Sequence, residues 1–204
     1  MIIGITGGSG SGKTTLLKHI ARAGGLILDC DAIYHELLRT DKTLLSDIEK
    51  AFPGTVHQGQ LDRKALGAIV FSQPEKLARL NAITHGAVYA AVVQELEKKP
   101  ALAAIDAIGL FEGRLDTLCD VTVAVCAPRE DRILRLMKRE GISREYACKR
   151  LDAQRSDEWF RKKCRVCLDN DGTIDAFATK CVAFLAEQGI IVETPLEEEK
   201  PNEC

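Results

Sequence analysis

The run Gly7-Gly8-Ser9-Gly10-Ser11-Gly12-Lys13-Thr14 fits the phosphate-loop pattern G-x-x-x-x-G-K-[ST]. Glycines let successive backbone N–H groups turn toward a phosphate, and the N-terminus of the helix that follows would add its positive dipole end. Gly8, Ser9, Gly10, Ser11 and Gly12 are therefore expected to cradle a nucleotide. Lys13 is expected to neutralise its β- and γ-phosphates, Thr14 to ligate Mg²⁺, and Thr15 to reach the α-phosphate. Farther along, Asp29-Cys30-Asp31 closes a short apolar run, and Asp31 is the candidate that orients and deprotonates an attacking hydroxyl. Asp29 competes for that role, and for either residue the plain alternative is capping of the helix that begins near Ala32. Asp106, near the end of another apolar run, is a candidate outer-sphere ligand of Mg²⁺ or of water. Arg132, Arg135 and Arg139, at i, i+3 and i+7, bring three guanidinium groups to one helix face.

These residues need a scaffold that aims them at one place. Ile2-Ile3-Gly4-Ile5-Thr6 reads as a buried parallel strand, followed by the loop and by a helix bearing Leu16, Leu17 and Ile20. Leu26-Ile27-Leu28 predicts a second strand, Ala101 to Ile108 a third, Val121 to Val125 a fourth and Ile190-Ile191-Val192 a fifth. Strands separated by helices predict an α/β fold with a five-stranded, mainly parallel sheet flanked by helices. Between Asp41 and Pro100 the pattern is helical with no convincing strand; Asp62 is a plausible N-cap there, and Leu66, Ile69 and Val70 mark an apolar face. The segment Arg129 to Arg165 is basic and helical, and Thr173 to Glu187 predicts a last helix.

The 204-residue chain has 28 basic and 30 acidic residues and a formal charge of −2, which argues against broad nucleic-acid binding. A hydrophobic share of 46% excludes a disordered or fibrous chain. No apolar stretch approaches the length of a membrane span, and Met1-Ile2-Ile3-Gly4 lacks the features of a secretory signal, so the cytoplasm is the expected location. Eight scattered cysteines are then expected to be reduced thiols, and the pair Cys164/Cys167 to be two small residues near a strand rather than half a zinc site. A monomer is the favoured state.

A phosphate loop alone does not distinguish a kinase from a GTPase, a motor or a silent nucleotide-binding module. The Asn-Lys-x-Asp that reads guanine in GTPases is missing from the sequence, and a motor ATPase would be larger. A loop, an acid at the end of the second strand, a helical insertion and an arginine-rich lid together suit a small kinase, whose chemistry is mainly positioning and charge neutralisation.

The sequence resembles the dephospho-coenzyme A kinase family from Ile3 to about Leu185. The matching segments are Thr6 to Thr15, Leu28-Asp29-Cys30-Asp31-Ala32-Ile33, Gly59-Gln60-Leu61-Asp62-Arg63, Leu80-Asn81-Ala82-Ile83-Thr84-His85, Leu110-Phe111-Glu112, Arg135 to Arg139 leading to Ala153-Gln154, and Leu168 to Gly172. The chain departs from the family pattern at Ile108-Gly109 and at Gly86. The resemblance implies a P-loop kinase fold and transfer of the ATP γ-phosphoryl group to the ribose 3′-hydroxyl of dephospho-coenzyme A. It implies Asp31 as the catalytic aspartate, Arg135 and Arg139 as lid residues at the phosphates, Asn170 near the adenine end, and Arg63 and His85 as substrate contacts. A uridine- or nucleoside-type kinase is the alternative, because the same loop spelling occurs there. The expected organisation is a nucleotide-binding core of residues 1–40, 101–127 and 166–193, a helical acceptor domain of 41–100, a lid of 128–165 and a mobile tail of 194–204.

Overall fold

The computed structural model describes residues 1–71 and 73–192; the tail expected at 194–204 lies outside the described residues. In chain order the elements are β1 (Ile2–Thr6), α1 (Lys13–Arg22), β2 (Leu26–Asp29), α2 (Cys30–Thr40), α3 (Lys42–Ala51), β3 (Val56–His57), β4 (Gln60–Leu61), α4 (Arg63–Val70) and α5 (Pro74–Leu96). Then follow β5 (Ala103–Asp106), β6 (Val121–Cys126), α6 (Arg129–Glu140), α7 (Arg144–Asp152), α8 (Asp157–Lys163), β7 (Val166–Asp169) and α9 (Ile174–Glu187).

Five strands form a parallel sheet in the order β2-β5-β1-β6-β7. Both faces of β1 are covered, so its sequence runs apolar without alternation. On one face Ile3, Ile5 and Val123 pack with Leu16 and Ile20 of α1 and with Phe177 and Phe184 of α9. On the other, Leu28 and Ile105 pack with Val88 and Val92 of α5. Each fully buried aliphatic side chain of this kind stabilises the fold by roughly 1.5–3 kcal/mol. Parallel strands place all their carboxyl ends at one edge of the sheet, where open α/β folds put their ligand sites. The phosphate loop, Asp29, Asp106 and Asn170 all follow from that edge.

The fifth strand differs from the sequence expectation. It is β7, paired with β6 through Val123↔Val166 to Cys126↔Asp169, and Ile190-Ile191-Val192 is not in the sheet. The Ile190 N–H instead donates to the Leu185 carbonyl at 2.9 Å, closing α9, and Ile190 and Val192 cover the edge of the core while Ile191 is 86% exposed. A β-branched run has strand propensity, but β6 is already paired on both sides, with β1 and with β7.

Residues 41–100 also carry a feature absent from the expectation, the two-stranded hairpin β3/β4. Its turn residues Gln58 and Gly59 both have positive φ, as a two-residue hairpin requires. The Asp62 cap is as expected, its Oδ1 accepting from Lys64 N at 3.0 Å and Ala65 N at 2.9 Å. Leu38, Leu44, Ile48, Phe52, Leu66, Val70 and Leu80 form a cluster separate from the sheet, and α5 runs from it to the sheet face. At 23 residues α5 is about 35 Å long, enough to span both. Ile133, Leu136, Ala147 and Leu151 close a third small cluster between α6 and α7. No helix among the described residues is long and apolar enough to cross a membrane.

Candidate active site

The loop between β1 and α1 turns tightly, with Ser11 N–H donating to the Gly8 carbonyl at 3.2 Å and Thr15 N–H to the Gly12 carbonyl at 3.0 Å. Lys13 Nζ donates to the Gly7 carbonyl at 2.9 Å, so its charge is held over the loop. Burial pulls the Lys13 ammonium below its usual range, while Asp106 and Asp31 oppose that shift. Arg135 Nη1 reaches the Gly10 carbonyl at 3.2 Å, and Asn170 Nδ2 donates to the Ser11 carbonyl at 2.8 Å. Arg135 and Asn170 also meet each other at 3.4 Å, tying α6 and the end of β7 to the far side of the loop.

Above the loop lies a cleft of about 710 Å³. It brings together Ser9, Gly10, Ser11, Gly12, Lys13, Thr14, Thr15, Asp31, Asp106, Arg135, Arg139 and Asn170, nearly the whole set singled out from the sequence. Gly8, also expected to cradle the nucleotide, is not in that wall and lies against the guanidinium of Arg132. Lys138 and Arg150 add two cations to the wall. Arg139 Nη2 pairs with Glu140 at 2.5 Å, and Arg150 pairs with the same carboxylate. Five cations and two carboxylates lining one cleft make it basic although the chain as a whole is slightly acidic.

Asp29 and Asp31 occupy different positions. Asp29 caps α2, accepting from Ala32 N at 3.0 Å, which engages it as the helix terminus demands. Asp31, two residues on in the first turn, is exposed and lines two cavities at once. The second cavity, about 220 Å³, is bounded by Tyr34, Asn81, Thr84, His85, Val88 and the Ala107–Gly109 segment. His85 is therefore on the same cavity as Asp31. Arg63 is not: it lines an adjoining groove with Tyr34 and Leu80, and its Nη2 lies 3.3 Å from His35 Nδ1. Gly109 faces His85, whose Nε2 would be 3.9 Å from a Cβ there, and open space surrounds Gly86.

Asp106 ends β5, in register with Asp29 on one side and Ile5 on the other. Its Oδ1 is buried with no hydrogen-bond partner among the described residues. Burial pushes its carboxyl from the ordinary 3.8 to about 6, with Lys13 pulling it back and Asp29 and Asp31 adding to the rise. The folded chain thus holds an extra proton between about pH 4 and 6, and stability falls as pH rises through that window before levelling. Asp106→Asn should remove this slope, stabilising the nucleotide- and metal-free protein at pH 7.5 by on the order of 2–3 kcal/mol while the two proteins converge near pH 4. Thermal melts across that range check it, and a variant melting no higher than the parent at pH 7.5 would contradict it.

The donor set at this end of the cleft, the Thr14 hydroxyl with the Asp31 and Asp106 carboxylates, is hard oxygen and suits Mg²⁺. Among the described residues no group of three or more His, Cys, Asp or Glu could hold a metal ion by itself. An ion here would complete its shell with nucleotide oxygens and water. Cys167 Sγ lies 3.3 Å from Cys126 Sγ, and Cys126, Cys164 and Cys167 are all free thiols.

The dephospho-CoA kinase family profile matches residues 1–176. The chain belongs to the dephospho-CoA kinase family. A dephospho-CoA kinase of Thermus thermophilus is 37% identical over 188 residues, covering 92% of this chain and 91% of its own length. A crystal structure from Thermus thermophilus superposes with a TM-score of 0.76 at 37% identity, covering 92% of this chain and 97% of that one. A dephospho-CoA kinase from Campylobacter jejuni superposes with a TM-score of 0.65 at 25% identity, covering 93% and 98%. The activity is that of a dephospho-CoA kinase, with ATP as phosphoryl donor and dephospho-CoA as substrate, in the final step of coenzyme A biosynthesis. These matches bear out the dephospho-CoA kinase reading rather than the nucleoside-kinase alternative.

Arg132, spaced to share a helix face with Arg135 and Arg139, is instead buried against the loop at Ser9. Gln154 and Asp157, which meet it there, carry no local signal of that position. Their separation from Ser9, at 145 residues for Gln154, puts the relationship beyond any spacing rule.

Proposed function

We propose that dephospho-CoA enters the smaller cavity with its ribose 3′-hydroxyl at Asp31, facing ATP held over the phosphate loop. The observation that carries this reading is that Asp31 belongs to the walls of both cavities. An acceptor in one and a γ-phosphate in the other would meet at its carboxylate, where in-line transfer needs them. Asp31 takes the proton of the 3′-hydroxyl as its oxygen attacks phosphorus, and the bond to the β-phosphate bridging oxygen breaks to release ADP. Lys13 and Arg139 oppose the charge on the transferring group, and Arg135 and Asn170 keep the loop and nucleotide in register. Thr14, with Asp106 at longer range, would hold Mg²⁺, whose contribution is to neutralise phosphate charge and orient the β- and γ-oxygens. His85 borders the acceptor, and Arg63, from its adjoining groove, is placed for a more distant part of the same substrate.

Residues 41–100 act as the acceptor domain and 128–165 as the lid on a nucleotide-binding core. A monomer is the state we favour, and free thiols suit a reducing cytoplasm. Dephospho-CoA analogues test the site of transfer: the 2′-deoxy compound should be phosphorylated and the 3′-deoxy compound should not. Phosphorylation of the 3′-deoxy analogue would overturn the assignment.

A further inference from the structure

Arg132 differs from its two neighbours on α6 in being hidden. Its side chain is 7% exposed, against 35% for Arg135 and 58% for Arg139. Burying a guanidinium is costly unless its donors are matched. Here Nη1 meets Asp157 Oδ1 at 2.8 Å, Nε donates to the Ser9 carbonyl at 3.0 Å, and Nη2 reaches Gln154 Oε1 at 3.3 Å. Gln154 faces the same residue from the other side. Its Oε1 accepts from Ser9 N at 2.9 Å, and its Nε2 donates to Ser9 Oγ at 2.7 Å. The N–H, carbonyl and hydroxyl of the buried Ser9 are thereby each engaged by a lid residue. The guanidinium lies so close to Gly8 that a Cβ there would stand 1.9 Å from Nη2, so only glycine admits this arrangement.

We propose that Arg132 and Gln154 are positioning residues that clamp the Ser9 peptide, setting the shape of the phosphate loop before ATP arrives, and that Asp157 holds Arg132 in place. The inference rests on the phosphate-loop reading above and adds residues to it that touch neither substrate. A peptide unit ordered in advance need not be ordered by the nucleotide, and the entropy of fixing a residue is large enough to matter for affinity. The clamp also fixes where the lid is anchored. The first turns of α6 and the α7–α8 connection are fastened to the loop, whereas Arg139, two turns along α6 from Arg132, is free of it.

The test uses the full-length enzyme with Gln154→Ala, Gln154→Glu and the double variant Arg132→Met with Asp157→Asn. The double variant removes both charges together and so leaves neither stranded. Calorimetric titration with ATP should show Gln154→Ala and the double variant binding about tenfold more weakly, while the KM for dephospho-CoA stays within about twofold of the parent. Gln154→Glu keeps an acceptor for Ser9 N–H and for Arg132, and should recover most of the affinity. The double variant should melt close to the parent yet still bind ATP weakly. ATP affinity equal to the parent in both weakened variants, or affinity that simply follows the melting temperature, would overturn the clamp alone. Failure of the parent to bind ATP would overturn the phosphate-loop reading and the clamp with it.

Discussion

Asp31→Asn should lower kcat by about 10²- to 10⁴-fold, the usual worth of a positioned general base, while ATP binds almost as before. The reasoning is geometric. Asp31 stands in the first turn of α2, exposed to both cavities, and its neighbour Asp29 already serves as the N-cap. Asparagine preserves the size of the side chain and its place in the helix, so the fold should be unaffected. What is lost is the ability to accept the hydroxyl proton. Single-turnover measurement with saturating substrates isolates that step, and a rate near the parent's would remove Asp31 from the base role.

Lys13→Met should have an effect of comparable size for a different reason. Removing one preorganised cationic or hydrogen-bond donor from developing charge typically costs about 10²- to 10³-fold in kcat. Lys13 also opposes the burial-driven rise of the Asp106 carboxyl, so its loss should raise that carboxyl further. The sign follows directly: in the ligand-free variant the pH window over which stability falls extends upward beyond pH 6. Steady-state kinetics give the first effect and melts between pH 5 and 8 the second. A variant retaining a tenth of the parent's kcat would contradict the assigned role.

The phosphate loop was legible because all its determinants are contiguous: glycines that permit the turn, a cation and a hydroxyl, between an apolar run and a helix. The helix cap at Asp62 was legible for the same local reason. The last strand was not. Val166-Cys167-Leu168-Asp169 is a half-buried edge segment after a basic helix, and its own composition is less strand-like than that of Ile190-Ile191-Val192. Which of the two pairs with β6 depends on where α9 returns the chain, a property of packing and not of either segment. The candidate site divides in the same way. Asp31 and Asp106 were identifiable by type and by their place near strand ends and the arginines by their helical spacing, whereas the burial of Arg132 under Ser9 and the seating of Arg63 in a neighbouring groove arise from the folded arrangement of α6, α4 and the loop.

ADP release measured with dephospho-CoA and with uridine offered separately, with the product's phosphate located by NMR, is the most direct measurement. Turnover with dephospho-CoA, yielding phosphate on the ribose 3′-oxygen and little ADP from uridine, is the expected result. Phosphorylated product from uridine alone would contradict it.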